Sequence, residues 1–185
     1  GTVVMMQHFD PEAALAAIDR YHVNSSQWVP THFVRMLKLD EATRARYDLS
    51  SLKVAIHAAA PCPIPVKEAM IAWWGPVLYE YYAGSEGNGL TTIDSAQWLT
   101  HKGSVGKAAY GELHICDEAG NDVPPGTEGL VYFAGGGVFE YHNDPEKTAE
   151  ARNAHGWTTL GDIGRIDAEG YLYLTDRKSF MIISG

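Results

Sequence analysis

The sequence has few cysteines, few basic residues and no long apolar run, and each shortage excludes a class of protein. Two cysteines, Cys62 and Cys116, cannot build a disulfide framework or, alone, a four-ligand zinc site. The 14 basic residues stand against 23 acidic ones and form no cluster, which argues against a surface for duplex nucleic acid. The longest apolar stretches, such as 70–74 and 77–79, end far short of the roughly 20 residues that a membrane span needs. We therefore expect a cytoplasmic protein in a reducing compartment, with peripheral contact with a membrane left open.

What is present favours a folded chain with apolar ends. The 185 residues are 45% apolar and carry a formal charge of −9, which suits a real core and about one domain and excludes intrinsic disorder. Residues 2–6 are expected to form a buried strand, and 180–183 another with nothing after it to cover it. Because domain boundaries usually fall in polar linkers, we expect a piece of a longer chain.

Strands alternate with helices in the first half of the predicted fold. Asp10-Pro11-Glu12 combines an N-cap, a first-position proline and an acidic first turn, so a helix is expected through about Tyr21. A second helix is expected to be capped by Thr31. The remaining predicted elements are strands at 26–29, 52–57 and 77–82 and a helix at 64–74. This alternation predicts α/β structure with parallel pairing.

After about Gly84 the pattern changes to short strands between turns. Strands are expected at 112–117, 130–134, 164–167 and 171–175, with one helix that opens at Asp144. The glycines of Asp-Glu-Ala-Gly-Asn at 117–121 and Asp-Ala-Glu-Gly at 167–170 supply the positive φ that tight turns need. The second half is therefore expected to be mostly antiparallel β.

The segment 81–87, Tyr-Tyr-Ala-Gly-Ser-Glu-Gly, follows a predicted parallel strand, where open α/β sheets place their ligands. It is one residue from a Gly-x-Ser-x-Gly nucleophile elbow, but residues 88–93 do not favour the helix that an elbow needs. The second interpretation is a nucleotide site, with a ring for the base, small residues beside phosphates, and a hydroxyl and a carboxylate for phosphate and Mg²⁺. A glycine-rich turn with a buried tyrosine is the third, and these residues alone leave it open.

Four further features of the sequence support weaker interpretations. The glycines at 135–137 lack the Lys-Ser/Thr and the helix of a P-loop, so we expect a flexible passage from strand to loop. Asp162 and Arg177 are expected to converge, either as a ribose- and phosphate-binding pair or as an exposed ion pair of little weight. The eight histidines show no HxxxH or HxH pair, and most of them are expected to be surface or hydrogen-bonded core residues. Both cysteines are expected to be small buried hydrophobes.

In chain order, these segments resemble the motif series of the adenylate-forming superfamily, and most closely its fatty-acyl-CoA synthetases. The motifs are His-Ala-Ala-Ala-Pro-Cys-Pro at 57–63, Tyr-Ala-Gly-Ser-Glu at 82–86, Gly-Ser-Val-Gly at 103–106, Gly-Leu-Val with Glu-Tyr and Asn-Asp-Pro-Glu-Lys-Thr between 129 and 148, Gly-Trp-Thr-Thr-Leu-Gly-Asp-Ile-Gly at 156–164, and Asp-Arg-Lys-Ser-Phe-Met-Ile-Ile-Ser-Gly at 176–185. Their order and spacing, more than any single motif, carry the resemblance.

The resemblance implies a fold and a two-step reaction. Residues 1–100 would form an α/β subdomain, 101–178 a mainly antiparallel, barrel-like β subdomain, and 179–185 a hinge to a C-terminal domain. A carboxylate, expected to be a fatty acid, would attack the α-phosphate of Mg²⁺-bound ATP to give an acyl-adenylate and pyrophosphate. The thiol of coenzyme A would then displace AMP. The alternatives are a non-catalytic nucleotide- or partner-binding module and an adenylation domain for an amino or aryl acid.

The resemblance also implies site residues. The ATP- and AMP-binding residues would be Ala59, Ala60, Pro61, Tyr82, Ala83, Gly84, Ser85, Glu86, Asp162 and Arg177. Tyr82 would stack on adenine. Ser85 and Glu86 would be the catalytic residues, with Ser85 donating hydrogen bonds to phosphate oxygens and Glu86 holding Mg²⁺. Asp162 would accept both ribose hydroxyls, with Arg177 beside it. Ser179 would lie at the hinge.

Departures from the family pattern bear on specificity and activity. Ala58 and Ala59 replace usual glycines beside the acyl site, which leaves acyl chain length open, and Leu160 and Ser179 replace a usual Thr and a usual Asp or Lys. The family's Ser/Thr/Gly-rich phosphate loop and its C-terminal lysine are not in the sequence. We therefore expect the 185-residue chain to give no pyrophosphate exchange by itself.

Overall fold

A computed structural model describes residues 1–177. They fall into two units, Gly1–Glu80 with Asp94–Gly103, and Tyr81–Ile93 with the residues from Ser104 onward. Within this part of the chain, no helix has the length and apolar character that crossing a membrane requires. The proposed hinge at Ser179 and the strand expected at 180–183 lie outside the described residues. The division of the chain at residues 100 and 178 stays a prediction.

The structure has helices and strands in two sheets. The helices are α1 (Pro11–Tyr21), α2 (Pro30–Leu37), α3 (Glu41–Arg44), α4 (Ile64–Trp74), α5 (Ser95–Thr100) and α6 (Pro145–Glu150). The strands are β1 (Ser25–Trp28), β2 (Val54–His57), β3 (Leu78–Ala83), β4 (Leu90–Asp94), β5 (Lys107–Tyr110), β6 (Glu112–Cys116), β7 (Gly129–Ala134), β8 (Thr158–Ile166) and β9 (Leu172–Arg177).

The sheet topology confirms the predicted α/β class. In the first sheet the strand order is β1-β2-β3-β4-β5, with β1, β2 and β3 parallel and β4 antiparallel to β5. The second sheet, β6-β7-β8-β9, is antiparallel throughout. Among the described strands β6 and β9 stay at opposite edges, so this sheet is open, and the expected barrel-like closure is corrected.

Local signals set several boundaries of the first unit. Asp10 Oδ1 accepts a hydrogen bond from the Ala13 amide at 2.8 Å and starts α1 as predicted. α2 begins at Pro30, so the prediction that Thr31 caps it is wrong: proline is favoured at the first helical position because it has no amide hydrogen to leave unpaired. Residues 2–6 form no strand, and Val3 and Met5 are 79% and 87% exposed. That prediction failed because an apolar run does not show whether the fold provides a partner strand.

Aromatic residues and a buried ion pair fill the core of the first unit. Phe33 and Met36 are fully buried, and the ring centroids of Trp28 and Trp74 lie 5.5 Å apart. The ammonium group of Lys67, also fully buried, lies 2.5 Å from Glu80 Oε2. A charge pair in a core needs such close contact because each ion has lost its water.

The core of the second unit lies on the inner face of its antiparallel sheet. Val105, Ile115, Val131, Phe133 and Leu172 form its buried cluster. The β8–β9 hairpin closes as predicted, with Gly170 at φ +87° and the Asp167 carboxylate accepting from the Glu169 and Tyr171 amides at 2.9 Å. Burial raises the pKa of the Cys116 thiol to about 11, which fits the expected inert hydrophobe.

Candidate nucleotide-binding site

The loop between β3 and β4 carries the first group of predicted site residues. After Ala83 the chain makes a tight turn in which the Gly87 amide donates to the Gly84 carbonyl at 3.1 Å. Ser85 is exposed in this turn, and Glu86 is half-buried. β4 follows directly, so the segment lacks the helix of a nucleophile elbow and that interpretation is wrong.

The three glycines at 135–137 pack against this loop. A Cβ added to Gly136 would lie 1.7 Å from the Asn88 carbonyl oxygen, and one on Gly137 would lie 2.6 Å from that of Gly87. The Gly137 amide also donates to the Gly87 carbonyl at 3.0 Å. The expected flexible passage is therefore corrected: the glycines let two backbones touch, and they support the loop that presents Glu86.

Asp162 lies at the centre of a hydrogen-bonded group in the second unit. It faces Arg177 across β8 and β9, with its Oδ1 3.2 Å from the Arg177 Nε, and its Oδ2 accepts the Tyr82 hydroxyl at 2.6 Å. An irregularity between Ile163 and Gly164 adjusts the strand register next to this pair. The Asp162 side chain is 13% exposed, so the two contacts hold a carboxylate that water reaches only in part.

The Tyr82 hydroxyl stays a hydrogen-bond donor. Burial, and then the hydrogen bond to Asp162, raise the pKa of Tyr82 well above its usual value of 10.0. The negative charges of Asp162 and Glu86 raise this pKa further, against the opposing effect of the Arg177 guanidinium. The Tyr82 ring stacks against Phe133 with centroids 6.4 Å apart.

Glu86 has a partner that sequence reasoning missed. Its Oε1 accepts the hydroxyl of Tyr141 at 3.0 Å. A Cβ on Gly84 would lie 2.6 Å from the Glu86 Oε2 and 2.6 Å from a methyl of Leu160, so only glycine leaves room for the carboxylate there. Tyr141 belonged to a quoted motif, but its contact with Glu86 spans 55 residues and has no local signal.

One carboxylate suits the magnesium ion that the sequence resemblance implies. Mg²⁺ usually keeps several waters and binds proteins through one or two carboxylates together with substrate phosphates. Glu86 provides such a carboxylate, and within residues 1–177 its Oε2 accepts no hydrogen bond. The described residues hold no group of three or more His, Cys, Asp or Glu arranged for a metal. The donor set therefore fits an ion held largely by a nucleotide.

The predicted site residues fall in both units. Tyr82, Ala83, Gly84, Ser85, Glu86, Asp162 and Arg177 belong to the second unit, which brings the Tyr82, Asp162 and Arg177 side chains into direct contact. Ala59, Ala60 and Pro61 belong to the first unit, in the turn that follows β2, where Ala59 has a φ of 75°. Their assignment to the nucleotide stays a prediction.

Comparisons with known proteins identify relatives that are longer than this chain. Residues 1–141 match a family model described as AMP-binding enzyme. A feruloyl-CoA synthase of Amycolatopsis sp is 30% identical over 187 residues, which cover 100% of this chain and 38% of that protein. A long-chain-fatty-acid–CoA ligase of Bacillus subtilis (strain 168) is 31% identical, covering 99% of this chain and 33% of that protein.

Two solved structures are also similar to this chain and longer than it. Amide bond synthetase McbA from Marinactinospora thermotolerans has a TM-score of 0.82 at 29% identity, covering 96% of this chain and 37% of that one. O-succinylbenzoate coenzyme A synthetase from Bacillus subtilis, in complex with AMP, has a TM-score of 0.78 at 26% identity, covering 97% and 36%. The chain thus spans less than two fifths of the length of these proteins. Since the family model covers well over half of this chain, the protein belongs to the AMP-binding enzyme family.

Proposed function

We propose that this chain supplies the nucleotide site of an ATP-dependent acid–CoA ligase whose acid is a fatty acid. In the first step a carboxylate oxygen attacks the α-phosphorus of ATP, and the bond to pyrophosphate breaks. In the second, the sulfur of coenzyme A attacks the acyl carbon, and AMP leaves. The observation that carries the proposal is the group formed by Tyr82, Asp162 and Arg177.

Asp162 suits a ribose because its carboxylate retains acceptor capacity. An ionised carboxylate has about four acceptor positions. One is used by the Tyr82 hydroxyl and one faces Arg177, so about two are available for the 2′- and 3′-hydroxyls of a nucleotide. Arg177, whose side chain is 37% exposed, is placed to add a charge-assisted contact to ribose or phosphate.

Tyr82, Ser85 and Glu86 complete the proposed site. One face of the Tyr82 ring lies toward Phe133, and we assign the other to adenine; stacking of this kind contributes about 1–3 kcal/mol per base. The exposed Ser85 hydroxyl would bind phosphate oxygens, and Glu86 would hold Mg²⁺ through Oε2. An ion held there would supply positive charge beside the α-phosphate under attack and the leaving pyrophosphate.

The choice of a fatty acid rests on the motif series and on relatives such as the Bacillus subtilis fatty-acid ligase. The apolar side chains of Phe33, Met36 and Trp74 would suit a lipid tunnel by composition, but they contact one another in the core: the Phe33 and Trp74 ring centroids lie 5.9 Å apart, and Met36 is fully buried. These side chains therefore contribute to core packing and not to the wall of a tunnel. An aryl acid is the second candidate because another relative is a feruloyl-CoA synthase.

Measurements of AMP binding test whether the group of Tyr82, Asp162 and Arg177 binds a nucleotide. We would titrate AMP into the 185-residue chain and its Asp162→Asn variant by isothermal titration calorimetry. The amide keeps an acceptor for Tyr82 but cannot accept two ribose hydroxyls, so AMP affinity should fall at least about tenfold. Asp122→Asn, which changes an exposed carboxylate in the same unit, is the matched control. Equal AMP affinity of Asp162→Asn and the unmodified chain would refute the assignment.

Assays with a panel of carboxylic acids test which acid the full-length enzyme activates. Fatty acids of several lengths, ferulate and amino acids would be supplied with ATP and coenzyme A to the full-length parent, and pyrophosphate and acyl-CoA would be measured. The highest kcat/KM for a fatty acid supports the proposal. The highest value for ferulate would replace the acid but keep the ligase, and no turnover with any acid would favour a non-catalytic module.

A further inference from the structure

Tyr141 holds one oxygen of the Glu86 carboxylate by a hydrogen bond. The tyrosine hydroxyl can only donate to an ionised carboxylate, and it does so to Oε1 at 3.0 Å. Oε2 lies against Gly84, in the space that a Cβ at that position would fill. The carboxylate therefore presents a defined oxygen rather than rotating freely.

Tyr141 is itself held by the start of α6. Its amide donates to Thr148 Oγ1 at 2.9 Å, and the Thr148 hydroxyl donates to the Asp144 carbonyl at 2.8 Å. The Lys147 ammonium lies 4.2 Å from the centroid of the Tyr141 ring, a cation–π contact. Asp144 caps the helix through the Lys147 amide at 2.9 Å. Both the backbone and the ring of Tyr141 are thus fixed by one short element.

We propose that Tyr141, held by Thr148 and Lys147, is a positioning residue that aims the Glu86 carboxylate at the metal-bound phosphates of the nucleotide. This inference rests on the proposed function. A hydrogen bond to an ionised acceptor is roughly twice as strong as a neutral one, and it restrains a side chain that stands on a turn. The Asn-Asp-Pro-Glu-Lys-Thr motif thereby acts through Tyr141 on the phosphate site.

The second unit contains a matched control for this arrangement. The Tyr173 hydroxyl donates to Asp167 Oδ2 at 3.1 Å, and the Arg165 guanidinium lies 4.4 Å from the Tyr173 ring centroid. This pair has the same chemistry as Tyr141 with Glu86 and Lys147, but it belongs to the β8–β9 hairpin. Tyr173→Phe therefore removes an equivalent hydroxyl without touching Glu86.

The test compares metal-dependent with metal-independent nucleotide binding. ATP would be titrated into the full chain by calorimetry with Mg²⁺ and again in EDTA, for the unmodified chain, Tyr141→Phe, Thr148→Val and Tyr173→Phe. We expect Tyr141→Phe to reduce the Mg²⁺-dependent gain in affinity at least about fivefold while affinity in EDTA changes less than twofold. Thr148→Val should give a smaller loss in the same direction, and Tyr173→Phe should bind like the unmodified chain.

The outcomes separate the two proposals. If the unmodified chain does not bind ATP in either buffer, the proposed function fails. If it binds and Tyr141→Phe keeps the full Mg²⁺-dependent gain, only the positioning role fails. An equal loss in Mg²⁺ and in EDTA would also overturn that role, since it would mean a general structural defect. If Tyr141→Phe does not fold by circular dichroism, the comparison of Thr148→Val with Tyr173→Phe decides.

Discussion

His57 should make the stability of the first unit fall steeply below neutral pH. Its side chain is fully buried at the end of β2, and neither ring nitrogen makes a hydrogen bond within residues 1–177. Glu80 Oε2 lies 3.8 Å from Nε2, but that carboxylate is already paired with the Lys67 ammonium at 2.5 Å. Burial, followed by the positive charge of Lys67, lowers the pKa of His57 from 6.5 to about 3. The folded chain therefore keeps His57 neutral where the unfolded chain protonates it.

The sign and size of the effect follow from proton binding. Between pH 6.5 and about 3 the unfolded state binds a proton at His57 that the folded state does not, so stability falls as pH falls through this range. From pH 7 to pH 5 the loss is about 2 kcal/mol. This figure hardly changes if the folded pKa is one unit higher, because His57 in the folded state is almost fully neutral at pH 5 in either case.

Urea unfolding at pH 7 and pH 5, followed by tryptophan fluorescence, measures this loss. Four of the five tryptophans belong to the first unit, so the signal reports its unfolding. His57→Leu should lose about 2 kcal/mol less than the unmodified chain between these pH values. The substitution should cost little at pH 7, because the imidazole it removes makes no hydrogen bond within residues 1–177. His8→Leu, at an exposed position, is the control. Equal losses in His57→Leu and the unmodified chain would refute the reasoning.

Two more substitutions test the packing of each unit. Lys67→Met leaves the Glu80 carboxylate unpaired in the core and should lower the free energy of unfolding by about 3–5 kcal/mol. The double variant Lys67→Met with Glu80→Leu should lower it clearly less, because no unpaired charge remains. Urea unfolding checks both against the exposed Lys53→Met, and a double variant as unstable as the single one would contradict the ion-pair argument. Gly136→Ala places a Cβ 1.7 Å from the Asn88 carbonyl oxygen and should lower Tm by about 4 °C or more. An unchanged melting curve would show that the loop moves aside without cost.

The elements that the sequence predicted well carry their own boundary signals. α4 runs over 64–74 as expected, between Pro63 and Gly75, and α1 begins at the Asp10-Pro11 cap. β5 went unrecognised because all four of its residues are exposed and show no apolar alternation. Most histidines were expected to be surface or hydrogen-bonded core residues, whereas His57 is buried and makes no hydrogen bond within the described part of the chain. Sequence periodicity indicates burial but does not show which polar partners the fold supplies.

The sequence also predicted only some of the contacts of the candidate site. Asp162 and Arg177 lie on the two strands of a hairpin whose turn is recognisable in the sequence. Their contact could therefore be predicted from residues close together in the chain. The hydrogen bond from Tyr82 to Asp162 spans 80 residues, and that from Tyr141 to Glu86 spans 55. Contacts of this kind depend on how the loop after β3 packs on the second sheet. No spacing in the sequence encodes that packing.

Tyr82 links the two parts of the proposed nucleoside site through separate edges of one side chain. Its hydroxyl lies in the ring plane and donates to Asp162 at 2.6 Å, while its faces are perpendicular to that bond and one of them stacks on Phe133. A base on the other face and a ribose at Asp162 would then be separated by less than the length of a tyrosine side chain. Adenine and ribose are joined covalently, so they need sites at that short separation. The sequence resemblance assigned the ring of Tyr82 to the base, and the hydroxyl contact explains how the same residue also fixes the carboxylate proposed for the ribose.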